Sequence, residues 1–307
     1  MNYQEFKNML KDRMQKIMGD TIQVGFETYT KNNQTPIESL MFQEKDSSAA
    51  TVITPAIHMQ DLYNLYQKEG DGEMFQRCLM EIKKLYMEQE PKSLDFINRD
   101  WGEIKKSICM TLLCEGWNKG WIEEENTTYS KFLDFVIVLR SILGVSSHGM
   151  GSTVVTQNLM SHWRITEEEL WETAWNNLYC ERFYIQNLNE VLRSEIKKRE
   201  MEIDAKLLKN DLPLYLLSNK ERVVYGARGI LRTDLLQAFA MGADSNLYIL
   251  PSSIHELILL PDNGNYCVEE MREVVKTINE TEVPETERLS EMMYYFRKDS
   301  GTVEIAE

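Results

Sequence analysis

Positive charge is what this sequence has too little of. Its 34 Lys and Arg stand against 49 Asp and Glu, a formal net charge of −15. Binding a phosphate backbone without regard to sequence needs a surplus of cations, so nucleic acid through a basic surface is not an expected partner, and neither is a polybasic grip on a membrane. Cysteine is sparse and odd in number (Cys78, Cys109, Cys114, Cys180, Cys267). That lacks the density of a disulfide scaffold and points to reduced thiols. Long apolar runs are missing too. The strongest, Phe132 to Leu143, is broken by Asp134, Arg140 and Ser141 and falls far short of the roughly 20 residues a membrane span needs. The opening Met1 to Lys7 has no apolar stretch behind a basic start, so the expected location is the cytoplasm, with no membrane partner.

Glycine (15) and proline (7) are few, and no Pro/Gly/Ser-rich linker or internal repeat divides the 307 residues. What is present is 43% hydrophobic and 27% charged sequence, enough to bury a substantial core. Tyr3, Phe6, Leu10, Met14 and Ile17 recur at helical spacing up to Gly19, and alternation then predicts a hairpin from Ile22 to Phe42 around Asn32-Asn33-Gln34. A short strand is expected over 50–57. A helix carrying Phe75, Cys78, Leu79, Ile82, Leu85 and Tyr86 follows, with Asp71 as its N-cap.

In the centre, Asp100 with Glu103 and Thr166 with Glu169 are capping signals. The helix after Thr166 puts Leu170, Trp171, Ala174, Trp175 and Leu178 on one face, where Trp171 and Trp175 are expected to fill core. The apolar segments 108–113 and 132–143 fit buried strands and buried helices alike. Leu188 to Leu208 reads as a long charged helix. Further on, hairpins are expected at 214–225, at 247–260 around Pro251-Ser252-Ser253, and at 292–305. Helices are expected at 231–241, closed by Gly242, and over Val268 to Ile278. The fold class is therefore α+β, with antiparallel sheets in N- and C-terminal units and a helix-rich centre bearing the tryptophans. The expected units are 1–95, 96–212 and 213–307, packed as one body.

The stretch Ser245 to Asp262, with Leu247-Tyr248-Ile249-Leu250-Pro251-Ser252-Ser253-Ile254-His255-Glu256 at its heart, resembles an uncharacterised gut-bacterial domain-of-unknown-function family, family 5688. Tyr3-Gln4-Glu5-Phe6, Phe132 to Val138, Gly151-Ser152-Thr153 and Leu216 to Lys220 fit the same family. The resemblance covers nearly the whole chain. It implies a soluble, cytoplasmic bacterial protein and carries no assigned activity.

Two places could hold chemistry. Ser252, Ser253, His255 and Glu256 put a nucleophile, a base and an orienting carboxylate within five positions, the ingredients of a hydrolase or transferase. No Gly-x-Ser-x-Gly elbow exposes a serine, and neighbours on a strand face opposite ways, so the plainer reading is a four-residue turn, Pro251 to Ile254. Gly149, Gly151, Ser152 and Thr153, with His148 beside them, could form an anion-binding loop ahead of a helix. The P-loop lysine is missing, and the plainer reading is a connection with Ser152 or Thr153 as an N-cap. Cys109 and Cys114 and the scattered histidines show no metal-site spacing, and no metal or cofactor is expected. The tryptophans (Trp101, Trp117, Trp121, Trp163, Trp171, Trp175) could line an interface, and the acidic runs read as solvated faces. The function expected first is a protein-binding or regulatory module whose partner is another protein, and the alternative is the Ser/His/Glu hydrolase or transferase.

Overall fold

A computed structural model describes residues 1–45, 57–88, 99–146, 149–198, 213–219 and 224–307, in two compact units, Met1–Asp100 and Trp101–Glu307. The α+β class is borne out, with the sheets antiparallel throughout.

In the first unit, α1 (Tyr3–Met18) opens on a capping box between Asn2 and Glu5 and closes at Gly19, whose φ of 84° suits glycine. Strands β1 (Ile22–Thr30) and β2 (Pro36–Glu44) pair in register from Ile22 with Glu44 to Thr30 with Pro36, and the turn falls at Asn32–Gln34 as expected. Strand β3 (Ile57–His58) pairs with β2. The rest of the strand expected over 50–57 lies outside the described residues. Helices α2 (Met59–Glu69) and α3 (Glu73–Glu88) complete the unit. Phe6, Leu10 and Met14 from α1, Val24, Leu40 and Phe42 from the sheet, and Phe75 and Leu79 from α3 form its core. Asp71 is not followed directly by helix: α3 begins at Glu73, and the Asp71 carboxylate instead takes both guanidinium arms of Arg13 at 2.8 and 2.9 Å.

The second unit begins with α4 (Trp101–Ile104), directly after Asp100. The two ambiguous apolar segments are strands: β4 (Ile108–Cys114) and β6 (Phe135–Ser146), joined by α5 (Glu115–Glu125) and β5 (Tyr129–Phe132). With β7 (Gly149–Val154) they form a four-stranded sheet centred on β6. Ile108 to Leu113 and Phe135 to Ser141 are buried without interruption because both faces of the strand are covered, and this is why no alternation marked them. Next come α6 (Gln157–Trp163), α7 (Glu167–Cys180), β8 (Phe183–Asn187) and α8 (Leu188–Lys198); the remainder of the long helix expected to Leu208 lies outside the described residues. On α7, Leu170, Ala174 and Leu178 are buried, but Trp175 is exposed, correcting its placement in the core.

Strand β9 (Tyr215–Asn219) pairs with β8 on one side and with β11 on the other; of the hairpin expected at 214–225, residues 220–223 lie outside the described residues and Val224 and Tyr225 are not strand, and Gly226–Leu231 is a 3-10 turn. Helix α9 (Thr233–Ala243) runs past Gly242 and ends at Asp244. Strands β10 (Leu247–Ser253) and β11 (Glu256–Pro261), helix α10 (Val268–Thr281), and strands β12 (Tyr294–Arg297) and β13 (Thr302–Ile305) follow. The resulting sheet has the order β13-β12-β10-β11-β9-β8, so strands on both sides of residue 212 share it. Tyr294 crosses to the smaller sheet, where its ring lies 5.0 Å from that of Phe135 and its hydroxyl donates to Asp134. No helix of the described residues is long and apolar enough to cross a membrane.

His58, at the head of α2, has Nε2 3.2 Å from Lys31 Nζ and Nδ1 3.7 Å from Asp61. Burial, then the Lys31 charge, holds the imidazole below its usual pKa, with Asp61 opposing. The fold favours the neutral ring, so this contribution is present above the unfolded value of about 6.5 and is lost as pH falls through the folded one. Amide exchange across α1 of the full chain is expected to speed up as pH drops through this window, after correction for intrinsic rates. His58→Gln should flatten that dependence, and an unchanged profile in the variant would refute the assignment.

Candidate functional site

The turn between β10 and β11 consists of Ile254 and His255, with a bulge between Pro251 and Ser253. This corrects the four-residue turn expected from the sequence, since Pro251 stays in the ladder opposite Leu257. The bulge is a position where a residue without an N–H is tolerated inside a sheet.

The four polar residues of this segment do different jobs. Ser252 Oγ donates to Glu256 Oε1 at 3.2 Å, and Ser253 Oγ accepts the backbone N–H of His255 at 3.1 Å. The His255 ring faces elsewhere: its Nδ1 accepts the backbone N–H of Tyr225 at 3.0 Å, and its Nε2 lies 3.8 Å from Glu287. With Nδ1 accepting, the proton of the neutral imidazole sits on Nε2. Among the described residues, no serine hydroxyl is hydrogen-bonded to the ring.

Tyr225 explains that orientation. Its φ of 54° is left-handed, an uncommon state for a bulky aromatic residue that surrounding contacts must hold. His255 takes its N–H and stacks on its ring at 5.9 Å between centroids, while Arg228 Nη1 donates to its carbonyl at 3.1 Å. Gly226 comes next because a Cβ there would collide with the His255 carbonyl and Ser218 Oγ. Ser218 Oγ itself donates to that carbonyl at 3.0 Å. Arg228 is buried and grips Glu181 through Nε (2.9 Å) and Nη2 (2.6 Å), and Asn219 donates to Glu181 and to the Val224 carbonyl.

The glycine-rich segment arrives at the same place from the other sheet. Gly149, Gly151, Ser152 and Thr153 form β7, paired with β6, and are not a loop at a helix N-terminus. The N-cap of the next helix is Thr156, whose hydroxyl accepts the Leu159 N–H, and not Ser152 or Thr153. His148 lies outside the described residues. Ser152 Oγ is 3.0 Å from the Tyr225 hydroxyl, so Tyr225 joins the two segments that the sequence singles out separately.

Beside this junction lies a cavity of about 190 Å3, whose lining includes Lys106, Cys109, Ile142, Asn177, Glu181 and Arg228. Burial pushes the Cys109 thiol above its usual pKa, with Arg228 and then Arg140 pulling it down. Tyr225, Arg228, Glu181 and Arg140 carry no motif. Of the four, only Arg140 leaves a trace in the sequence, as a cation inside an apolar run.

A family model described as a family of unknown function (DUF5688) matches residues 3–298. No curated protein and no solved structure matches the chain.

The site yields a direct expectation. Replacing His255 with Ala strands the Tyr225 N–H and should cost about 1–3 kcal/mol. Replacing Ser252 with Ala should stay within about 0.5 kcal/mol. Denaturant unfolding followed by tryptophan fluorescence reads this unit alone, because all six tryptophans lie between Trp101 and Trp175. Equal, small effects of the two substitutions would contradict a positioning role for His255.

Proposed function

The chain belongs to the family of unknown function DUF5688, and from that footing we propose that it is a protein-binding module whose contact face is the outer side of α7. One observation carries the reading. Trp175 and Tyr179, one turn apart, stand 36% and 57% exposed with their ring centroids 6.2 Å apart. The Arg232 guanidinium lies over Tyr179 at 5.1 Å. Tryptophan, tyrosine and arginine are the residue types that dominate binding energy when an interface covers them.

The patch is held in place before any partner arrives. Arg232 is clamped by both oxygens of Asp234 at 2.8 Å and donates to the carbonyls of Leu178 and Tyr179. A contact that is already ordered loses less side-chain freedom on binding. Glu172 and Glu168 are exposed one and two turns before Trp175 on the same helix, which suits a partner offering an apolar anchor ringed by basic residues. The proposal takes the chain as an acidic cytoplasmic protein of a gut bacterium, with Leu247 to Glu256 as the recurring stretch of its family. A hydrolase or transferase built on Ser252, Ser253, His255 and Glu256 is less well supported, because the imidazole nitrogen that would take a serine proton is occupied by Tyr225 or turned toward Glu287.

Affinity capture with the full chain from native cytosol, at low and at moderate salt, tests this. The parent is expected to retain one stoichiometric partner, and a Trp175→Ser, Tyr179→Ser variant with the parent's thermal midpoint is expected to lose it. Capture that is absent, or that survives the double substitution unchanged, would overturn the proposal.

A further inference from the structure

Arg140 is a buried cation with no carboxylate partner among the described residues. It sits in β6 within the fully buried run Phe135 to Ser141 and is itself only 9% exposed. Its guanidinium carbon lies 5.5 Å from the Trp121 ring centroid and 5.7 Å from that of Tyr225, so aromatic rings flank the group. A guanidinium covered this way still offers its N–H donors at the edge, in the plane, to an acceptor with two oxygens. Among the described residues no carboxylate pairs with it, and its buried Nε–H has no acceptor.

The contrast with Arg228 is direct, since there Nε, Nη1 and Nη2 all have partners. Glu125 senses the Arg140 charge without forming an ion pair with it. Burial raises its pKa above the usual carboxylate range, Arg140 pulls it back and Glu124 pushes it up. A buried charge without a counter-ion is among the most costly groups a fold can carry, and an anion from outside would answer it.

The surroundings fit one. Ser152 stands opposite Ile142, two residues along β6, on the same side of the sheet as Arg140. Its hydroxyl and that of Tyr225 share a single hydrogen bond of 3.0 Å, so whichever one donates, the other keeps a free O–H. The 190 Å3 cavity adjoins this group without being lined by Arg140, Ser152 or Tyr225 themselves: its wall includes Cys109, the cross-strand partner of Arg140, and Ile142, its neighbour on the same face. Its charged lining is Lys106 and Arg228 against Glu181 alone, a positive balance inside a chain of net charge −15.

We propose that Arg140, with the Ser152 and Tyr225 hydroxyls, binds a small oxyanion, a phosphate or carboxylate group carried by a small molecule. The planar fork takes two oxygens of the anion and the spare hydroxyl a third. His255 and Arg228 serve this site at one remove, by holding Tyr225 in its left-handed conformation. The site does not share residues with the α7 patch, so each proposal stands or falls separately.

The test is calorimetric titration of the full chain with inorganic phosphate and, in a second arm, acetate, both at constant ionic strength. Saturable one-to-one binding of at least one anion is expected, and the preferred arm identifies the oxyanion. Arg140→Gln should weaken it by about tenfold or more, the effect of losing a charge-assisted bidentate contact. Tyr225→Phe keeps the ring and the backbone hydrogen bond while deleting the hydroxyl, and should weaken it several-fold even if the arginine variant fails to fold. No saturable binding of either anion, or parental affinity in the folded variants, overturns the proposal.

Discussion

The larger unit depends on one buried guanidinium. Arg228, on the short 3-10 turn after β9, binds Glu181 at the end of α7 and reaches the Met110 carbonyl in the middle of β4. Through it the six-stranded sheet, the four-stranded sheet and a helix end are referred to a single point. Removing one partner of a buried ion pair costs about 3–5 kcal/mol, because the other is left charged and dry. Against a total stability of about 5–15 kcal/mol, that is a large share for one contact. The same group holds Tyr225 by its carbonyl, so the framework and the candidate site are stabilised by one interaction.

Much of the fold was legible in the residues. Where one face is wet, spacing speaks clearly: Phe6, Leu10 and Met14 mark α1, and the alternation around Asn32–Gln34 marks the first hairpin with its turn. Caps were readable where the hydroxyl acts locally, as with Thr166 and the Glu169 N–H. Legibility fails where burial is two-sided. Strands β4 and β6 are apolar on both faces, and period alone cannot tell such a strand from a helix. It fails also where a partner is remote. Nothing near 214–225 announces that β9 will pair with β8 and β11, which takes over the place of the expected hairpin.

The candidate site follows the same division. Ser152, Ser253 and His255 stood out because polar groups near glycines and turns are visible in a sequence. Their roles did not, because each role is set by a residue far along the chain: Tyr225 is 30 positions from His255 and 73 from Ser152. Proximity in sequence suggested that the serines and the imidazole act on one another, and the strand geometry sends them apart. Arg140 was visible only as an interruption of an apolar run. Its meaning rests on which groups fail to meet it, and that is a property of the folded state alone.

The neighbouring strands β8 and β9 are consecutive in the chain, and Asn187 sits opposite Tyr215 where they begin to pair. The Leu188 N–H also reaches the Leu214 carbonyl at 2.9 Å, so everything between leaves and re-enters the sheet at almost one point. A connection closed in this way is thermodynamically insensitive to its own length, since doubling it costs only about 0.6 kcal/mol of closure entropy. The sheet thus carries a built-in port. The register on either side is set by the ladder itself, from Asn187 opposite Tyr215 to Phe183 opposite Asn219, and not by the chain that joins the two strands.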